Sequence, residues 1–264
     1  MFTAAEDRYG GVEITASPDA TAMEFEARLR SAIDEWSANG KRGLWLKIPL
    51  ACAAVAGAAA ACGFEFHHAQ PGYVMMTRWL PASPSPLPKY GFTQIGVGGV
   101  VLNAAGEVLM VQERVSPSAQ FQGSWKLPGG LSDPGEQFAD TVIREVREET
   151  AVVGTLEGVV SLRHSHGFRF GQGDIYVVVR LRADPNHESI VVDPNELLDA
   201  RWMAPATIES LVERDSQKPL DGKVSENNWK MIQNALHGNM IVACPLAARG
   251  AGKPALLYTA AAKM

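Results

Sequence analysis

The sequence predicts a mixed α/β and α+β protein built in two units, and three features predict it. Short runs rich in β-branched and aromatic residues alternate with segments of helical period on both sides of one break. That break, PASPSPLP over 81–88, is proline-rich, carries no core-forming pattern and reads as a semi-rigid linker. The 264 residues are also enough for two domains of ordinary size. The expected organisation is an N-terminal unit over 1–80, a linker over 81–89, a second unit over 90–240 and a C-terminal tail over 241–264.

In the N-terminal unit, Val12 to Thr15 is a first strand. Ser17-Pro18-Asp19 opens a helix with Met23, Ala27, Leu29, Arg30, Ile33 and Trp36 in its amphipathic pattern, and Asn39-Gly40 suits its C-cap. Gly43 to Ile48 reads as a strand, the alanine-rich run Leu50 to Cys62 as a helix closed by Gly63, and Phe64 to His68 and Tyr73 to Leu80 as two more strands. A strand, a small-residue helix and a strand form the pattern of a βαβ unit. His67 and His68 are adjacent strand positions, expected to point to opposite faces and to serve as structural or surface groups. The 17 uncharged residues from Ile48 to Phe64 reach the short limit of a membrane span, but alanine contributes little transfer energy and Pro49 and two glycines interrupt the run, so a buried helix is expected.

In the second unit, Gln94 to Leu102 and Glu107 to Gln112 are strands joined at Asn103-Ala104-Ala105-Gly106. Gly96, Gly98 and Gly99 are not followed by a helix, so close backbone packing explains them better than a phosphate cradle. After a polar loop from Glu113 to Gly123 comes a loop, a helix and a second loop over Gly130 to Val152. Val159 to His164 and Asp174 to Arg182 are strands around a loop with His164, His166, Phe168, Arg169, Phe170 and Gln172. A turn at Asp193 to Glu196 leads into a strand through Trp202. Helical patches surround Ile208 and Trp229, and the last 25 residues, with Gly250-Ala251-Gly252, read as loosely structured.

The chemistry concentrates in Gly130 to Val152. Ala139, Val142, Ile143 and Val146 recur at helical spacing and form the core-facing stripe. Glu145, Glu148 and Glu149 fall together on another arc. Gathered carboxylates repel one another, so packing alone gives no reason for the cluster. A solvated acidic face with Arg144 and Arg147 as partners is the simpler reading, but Gly129, Gly130, Gly135, Pro128 and Pro134 shape the loop before it, and Glu136 stands at fixed spacing ahead of Glu145. A hard divalent cation, which takes oxygen ligands, accounts for the whole set.

Gly130, Glu136, Arg144, Glu145, Val146, Glu148, Glu149 and Val152 resemble, position by position, the Nudix box of the Nudix hydrolase family. Ala151 departs from it, standing where the family has a glycine that turns the chain through positive φ, and Gly154 is expected to take that turn instead. The N-terminal layout, with WLKIPL, GFEFHHA and YVMMTRWLP, resembles the domain that precedes the box in one eukaryotic subfamily. The resemblance implies an acetyltransferase-like N-terminal domain followed by a Nudix α/β/α sandwich. It implies Mg²⁺, with Mn²⁺ as the alternative, on Glu145, Glu148, Glu149 and the Gly130 carbonyl, with Arg144 a structural partner and Glu136 in the loop.

The activity implied is metal-dependent hydrolysis of the pyrophosphate bond in nucleoside diphosphates linked to another moiety, such as ADP-ribose or NADH. Catalytic candidates are Glu145, Glu149 and Glu196, with Glu188 and His166 as other sources of a base. Arg114, Phe168 and Phe170 are candidates for holding substrate, and Trp125 for stacking a base. A nucleotide-sensing or regulatory protein with little turnover is the alternative, as is hydrolysis of dinucleoside polyphosphates or of diphosphoinositol polyphosphates, the last lacking a dense basic cluster beside the motif. A homodimer is possible within the family.

Composition bounds the rest. A net charge of −5 gives no electrostatic footprint for nucleic acid. Cys52, Cys62 and Cys244 show no metal-ligand spacing, and an odd count without a secretory signal points to reduced thiols in the cytoplasm or another reducing compartment. No membrane association is expected.

Overall fold

A computed structural model describes residues 1–19, 21–116, 118–247 and 254–260. The chain divides into a unit over Met1–Phe92 and a unit over Thr93–Met264.

The first unit runs β1 (Phe2–Glu6), β2 (Val12–Ala16), α1 (Ala22–Ala38), β3 (Gly43–Pro49), a 3-10 turn over Leu50–Val55, α2 (Ala56–Ala61), β4 (Glu65–Gln70) and β5 (Tyr73–Trp79). Its sheet has the order β1-β2-β3-β5-β4. The paired parallel unit is β2-α1-β3; β5 lies between β3 and β4, so the alanine-rich segment does not join neighbouring strands. α1 begins later than Ser17-Pro18-Asp19 because Thr21 and Glu24 form a reciprocal capping box, satisfying two amides that a helix start leaves unpaired. Its buried face is Phe25, Leu29 and Ile33, while Met23 is exposed, so the stripe sits round the helix from the one expected. The alanine run is a 3-10 turn followed by six residues of α-helix. No helix among the described residues is long and apolar enough to cross a membrane.

The two histidines depart from strand alternation. The β4–β5 register shifts between Phe66 and His68, and this bulge turns both imidazoles together, with Nδ1 atoms 2.7 Å apart. They hold the linker: His67 Nε2 lies 2.9 Å from the Pro88 carbonyl oxygen, and His68 stacks on Tyr90 with centroids 4.4 Å apart. Leu87 sits over Gly43, where a Cβ would come within 3.0 Å of its Cδ2.

The second unit runs β6 (Thr93–Leu102), β7 (Val108–Glu113), β8 (Trp125–Lys126), β9 (Gly129–Leu131), α3 (Phe138–Thr150), β10 (Gly154–Ser165), β11 (Gly173–Ala183), β12 (Leu197–Met203), α4 (Pro205–Ser210), β13 (Val212–Glu213), β14 (Val224–Ser225), α5 (Glu226–His237), β15 (Ile241–Pro245) and β16 (Leu256–Ala260). Sheet order is β13-β14-β8-β7-β6-β11-β10-β15-β16, with β12 on β7 and β9 on β6. One face packs Val97, Val101, Val177 and Val179 with Val142 and Val146 of α3; the other packs Val100, Met110 and Val178 with Trp229, Ile232 and Ala235 of α5. Helix, sheet and helix thus form three layers. Gly99 has no room for a side chain, since a Cβ there would lie 2.9 Å from Val142 Cγ2, in keeping with close backbone packing. The C-terminal stretch is more ordered than expected: β15 and β16 pair antiparallel and extend the sheet from β10. Gly250-Ala251-Gly252 lies outside the described residues. Cys52 and Cys62 are buried in the first unit's core, whereas Cys244 is exposed.

Candidate active site

α3 is aimed by its two ends. At its start Glu136 accepts the Asp133 N–H at 3.0 Å and the Thr141 hydroxyl at 2.9 Å, closing the loop onto the first turn. At its end Ala151 itself takes the left-handed turn with φ 58°, and its N–H donates to the Arg147 carbonyl at 2.9 Å. Gly154 instead opens β10, so the expected transfer of the turn to it does not occur. The last turn is sewn to a distant loop: Val191 N–H donates to the Thr150 carbonyl at 2.9 Å, Asp193 N–H to the Glu149 carbonyl at 3.0 Å, and Val153 N–H to the His187 carbonyl at 3.1 Å.

The three acids of α3 sit at three depths. Glu148 is exposed, Glu145 half-buried and Glu149 only 4% exposed. The expected single acidic face is therefore a graded row, with Glu149 turned into the protein. Burial pushes the Glu149 carboxyl up to about 7, against the pull of Lys126 and of the Gly129 N–H, which donates to it at 3.1 Å. Burial also raises Glu145, against its hydrogen bond from Arg144. Glu145 lies on Gly130: a Cβ there would come 2.6 Å from its Cδ and Oε1, so only glycine admits the carboxylate. The Glu196 charge raises both Glu145 and Glu149, so the turn before β12 brings a fourth carboxylate to the same end of the helix.

Arg144 is the hub. Nε donates to Glu136 at 2.9 Å, and Nη1 to Glu145 at 2.8 Å and Glu148 at 3.1 Å. These bonds, the Glu136 pair first, raise Arg144, and they hold Glu136 down at about 2. The acids therefore converge on a guanidinium, and among the described residues no three acidic or histidine side chains stand ready around one point for an ion. The donors still suit a hard divalent cation: glutamate oxygens at graded depth, a glycine cradle that a Cβ would fill, and a buried carboxylate that no cation among the described residues bonds. Glu145, Glu148 and Glu149 with the Gly130 carbonyl are the residues that fit it.

The other expected residues are placed as follows. Arg114 lies beside the same turn and spends its guanidinium there, Nε donating to the Pro194 carbonyl at 2.7 Å and its N–H to the Glu196 carbonyl at 2.8 Å. It positions Glu196 through the backbone. Phe168 and Phe170 lie on the β10–β11 turn, with Phe170 at φ 60° and 87% exposed. Trp125 is buried against α5 in the core. Glu188 lies on the loop before β12, one carboxylate oxygen buried without a hydrogen-bond partner among the described residues. Lys126, ion-paired to Glu113 and felt by Glu149, is not singled out by the sequence pattern, because two residues of strand carry no periodicity.

Comparison with known proteins adds to this geometry. Residues 2–80 match a model described as Nudix hydrolase domain and residues 92–226 one described as NUDIX domain. The chain is 39% identical over 206 residues to Nudix hydrolase 8 of Arabidopsis thaliana, covering 77% of this chain but 55% of that protein. It is 37% identical over 227 residues to Nucleoside diphosphate-linked moiety X motif 6 of Mus musculus, covering 83% of this chain and 70% of that protein. Nudix hydrolase 2 of Arabidopsis thaliana is 34% identical, with 77% of this chain and 72% of that protein covered. Among solved structures, a MutT NUDIX hydrolase from Burkholderia pseudomallei is 17% identical with a TM-score of 0.42, covering 54% of this chain and 97% of its own, a likeness too slight to argue from.

Proposed function

The chain belongs to the Nudix hydrolase family, and on that premise we propose that it is a metal-dependent hydrolase of the pyrophosphate bond in nucleoside diphosphates linked to a second moiety, ADP-ribose or NADH in first place. The observation that carries the reading is the convergence of Glu145, Glu148, Glu149 and Glu196 at one end of α3, with Gly130 shaped to admit Glu145. A structural helix gains nothing from gathering four carboxylates where one guanidinium pairs only two of them.

Mg²⁺ or Mn²⁺ on Glu145, Glu148, Glu149 and the Gly130 carbonyl would supply charge neutralisation for a diphosphate and acidify a water. The chain's own residues do the positioning. Glu136 and Arg144 fix the loop and the first-turn geometry, so the carboxylates are presented from a rigid helix. Glu196, exposed to solvent and held through its backbone by Arg114, is the group placed to meet an approaching water and take its proton. Glu145 is the other candidate.

Incubation with ADP-ribose and with NADH in the presence of Mg²⁺ tests the reading, with AMP release as the readout. Turnover in wild type and a loss of a hundredfold or more in Glu148→Gln are expected. No AMP from either substrate, or equal rates in the two proteins, would sink it.

A further inference from the structure

A second polar cluster lies at the ends of β6, β10 and β11, on the face of the sheet that α5 packs against. The register sets it. Arg163 stands opposite Tyr176, Tyr176 opposite Gly96, and Asp174 opposite Gln94. Alternate strand residues share a face, so Gln94, Gly96, Gly98, Asp174, Tyr176 and Arg163 project to one side, the side on which Val100 and Val178 meet α5.

Asp174 is 4% exposed, and both its oxygens are employed: Gln94 Nε2 donates at 3.2 Å and Arg163 Nη2 at 2.8 Å. Arg163 is different. Its side chain is 47% exposed, its Cζ stands 5.0 Å from the Tyr176 ring centroid, and its Nε and Nη1 have no partner among the described residues. Burying a carboxylate is costly, and an ion pair to a half-exposed arginine returns little stability. What the arrangement achieves is a guanidinium fixed from behind with part of its planar fork turned outward, the geometry that suits a second anion.

Tyr176 links this guanidinium to the acidic end of α3. Its ring lies across two glycines: a Cβ at Gly96 would come 3.2 Å from Cδ2, and one at Gly98 2.0 Å from the phenol oxygen. Gly98 pairs with Gly129, whose N–H holds Glu149. The phenol oxygen therefore sits one strand from the buried glutamate. Burial pushes the phenol up to about 12, against the pull of Arg163, so it remains an O–H donor at neutral pH. Three other cations around α3 are engaged: Arg144 and Lys126 with glutamates, Arg114 with backbone carbonyls.

We propose that Arg163 and Tyr176 form a phosphate subsite, positioned by Asp174 and Gln94, for the phosphate of a nucleoside diphosphate substrate that is not held at the acids of α3. The substrate class rests on the hydrolase reading above. A polyanion held beside glutamates needs a cation with open donors, and Arg163, fixed by Asp174 against a tyrosine that feels both its charge and that of Glu149, supplies one.

The test uses the full chain and two probes, ADP-ribose for turnover and its α,β-methylene analogue, whose bridging carbon blocks cleavage, for equilibrium binding. Arg163→Gln is expected to weaken analogue binding tenfold or more and to raise KM for ADP-ribose in proportion, with kcat within about threefold. Arg163→Lys recovers part of the loss, because it keeps the charge and not the fork. Asp174→Asn shifts KM in the same direction by less. Analogue binding and KM within twofold of wild type in Arg163→Gln, with its thermal midpoint showing it folded, would overturn the subsite. If wild type binds the analogue but releases no AMP from ADP-ribose or NADH, the hydrolase reading fails while the binding loss in Arg163→Gln still supports the subsite; if wild type binds no analogue, the subsite falls whatever the turnover.

Discussion

Replacing Ala151 by glycine isolates one local cost. Ala151 holds φ 58°, a conformation in which a Cβ crowds the following carbonyl at about 1–2 kcal/mol. The residue is exposed, so its methyl group contributes little packing to offset that strain. Glycine removes the strain but gives the unfolded chain more freedom, worth about 0.4–1 kcal/mol in the opposite direction. The difference leaves Ala151→Gly more stable by about 0.5–1 kcal/mol. For a unit of this size that corresponds to a rise in Tm of about 1–4 °C. Urea unfolding of both proteins in parallel measures it, with Ala151→Val as the opposing control, since a β-branched residue fits a left-handed turn worse than alanine. The N–H bond to Arg147 is a backbone bond that glycine keeps, so catalytic constants should stay within twofold. Unchanged or reduced stability in Ala151→Gly would refute the argument, because it would mean that the turn carries no strain.

Two further outcomes concern the acidic site. Arg144→Ala should lower kcat and weaken Mg²⁺ activation about ten- to a hundredfold, as lost support around a metal site does; an unchanged Mg²⁺ titration would show that the hub is dispensable. The metal-free protein should also lose stability as pH rises. The folded Glu149 carboxyl holds its proton up to about 7 against an ordinary 4.5, so this contribution is complete below pH 4.5 and disappears as pH climbs through 7, about 3 kcal/mol across the window. Urea unfolding with chelator at pH 5 and pH 8 measures it, and Glu149→Gln should flatten the slope.

The elements with long, clear periods were legible. α3 has a four-residue apolar stripe and motif spacing on either side of it, so a helix was expected where it lies, and β11, a β-branched run with a buried face, emerged within one residue of its observed bounds. Burial of individual groups was not legible. Helical geometry places Glu149 beside Glu148, yet Glu149 is buried, and what meets its carboxylate is the Gly129 N–H and the Lys126 charge, delivered by β9 and β8. Those strands have two and three residues, too short for any alternation to show. Strand alternation likewise separates His67 from His68, and one bulge undoes it. Arg163 and Asp174 lie eleven residues apart on two strands, and only the β10–β11 register makes them neighbours.

The bonds that tie Val191 and Asp193 to the last turn of α3 also set where the chain can change length. In the β10–β11 turn the backbone bonds are internal, Phe168 to Gln172 and Gly171 to Phe168, so inserted residues there would leave the four carboxylates where they are. One residue added between His187 and Glu196 would pull amides away from the carbonyls of Glu149 and Thr150 and carry Glu196 off with them. New sequence can accumulate along one edge of this site, while the opposite edge has to keep its count.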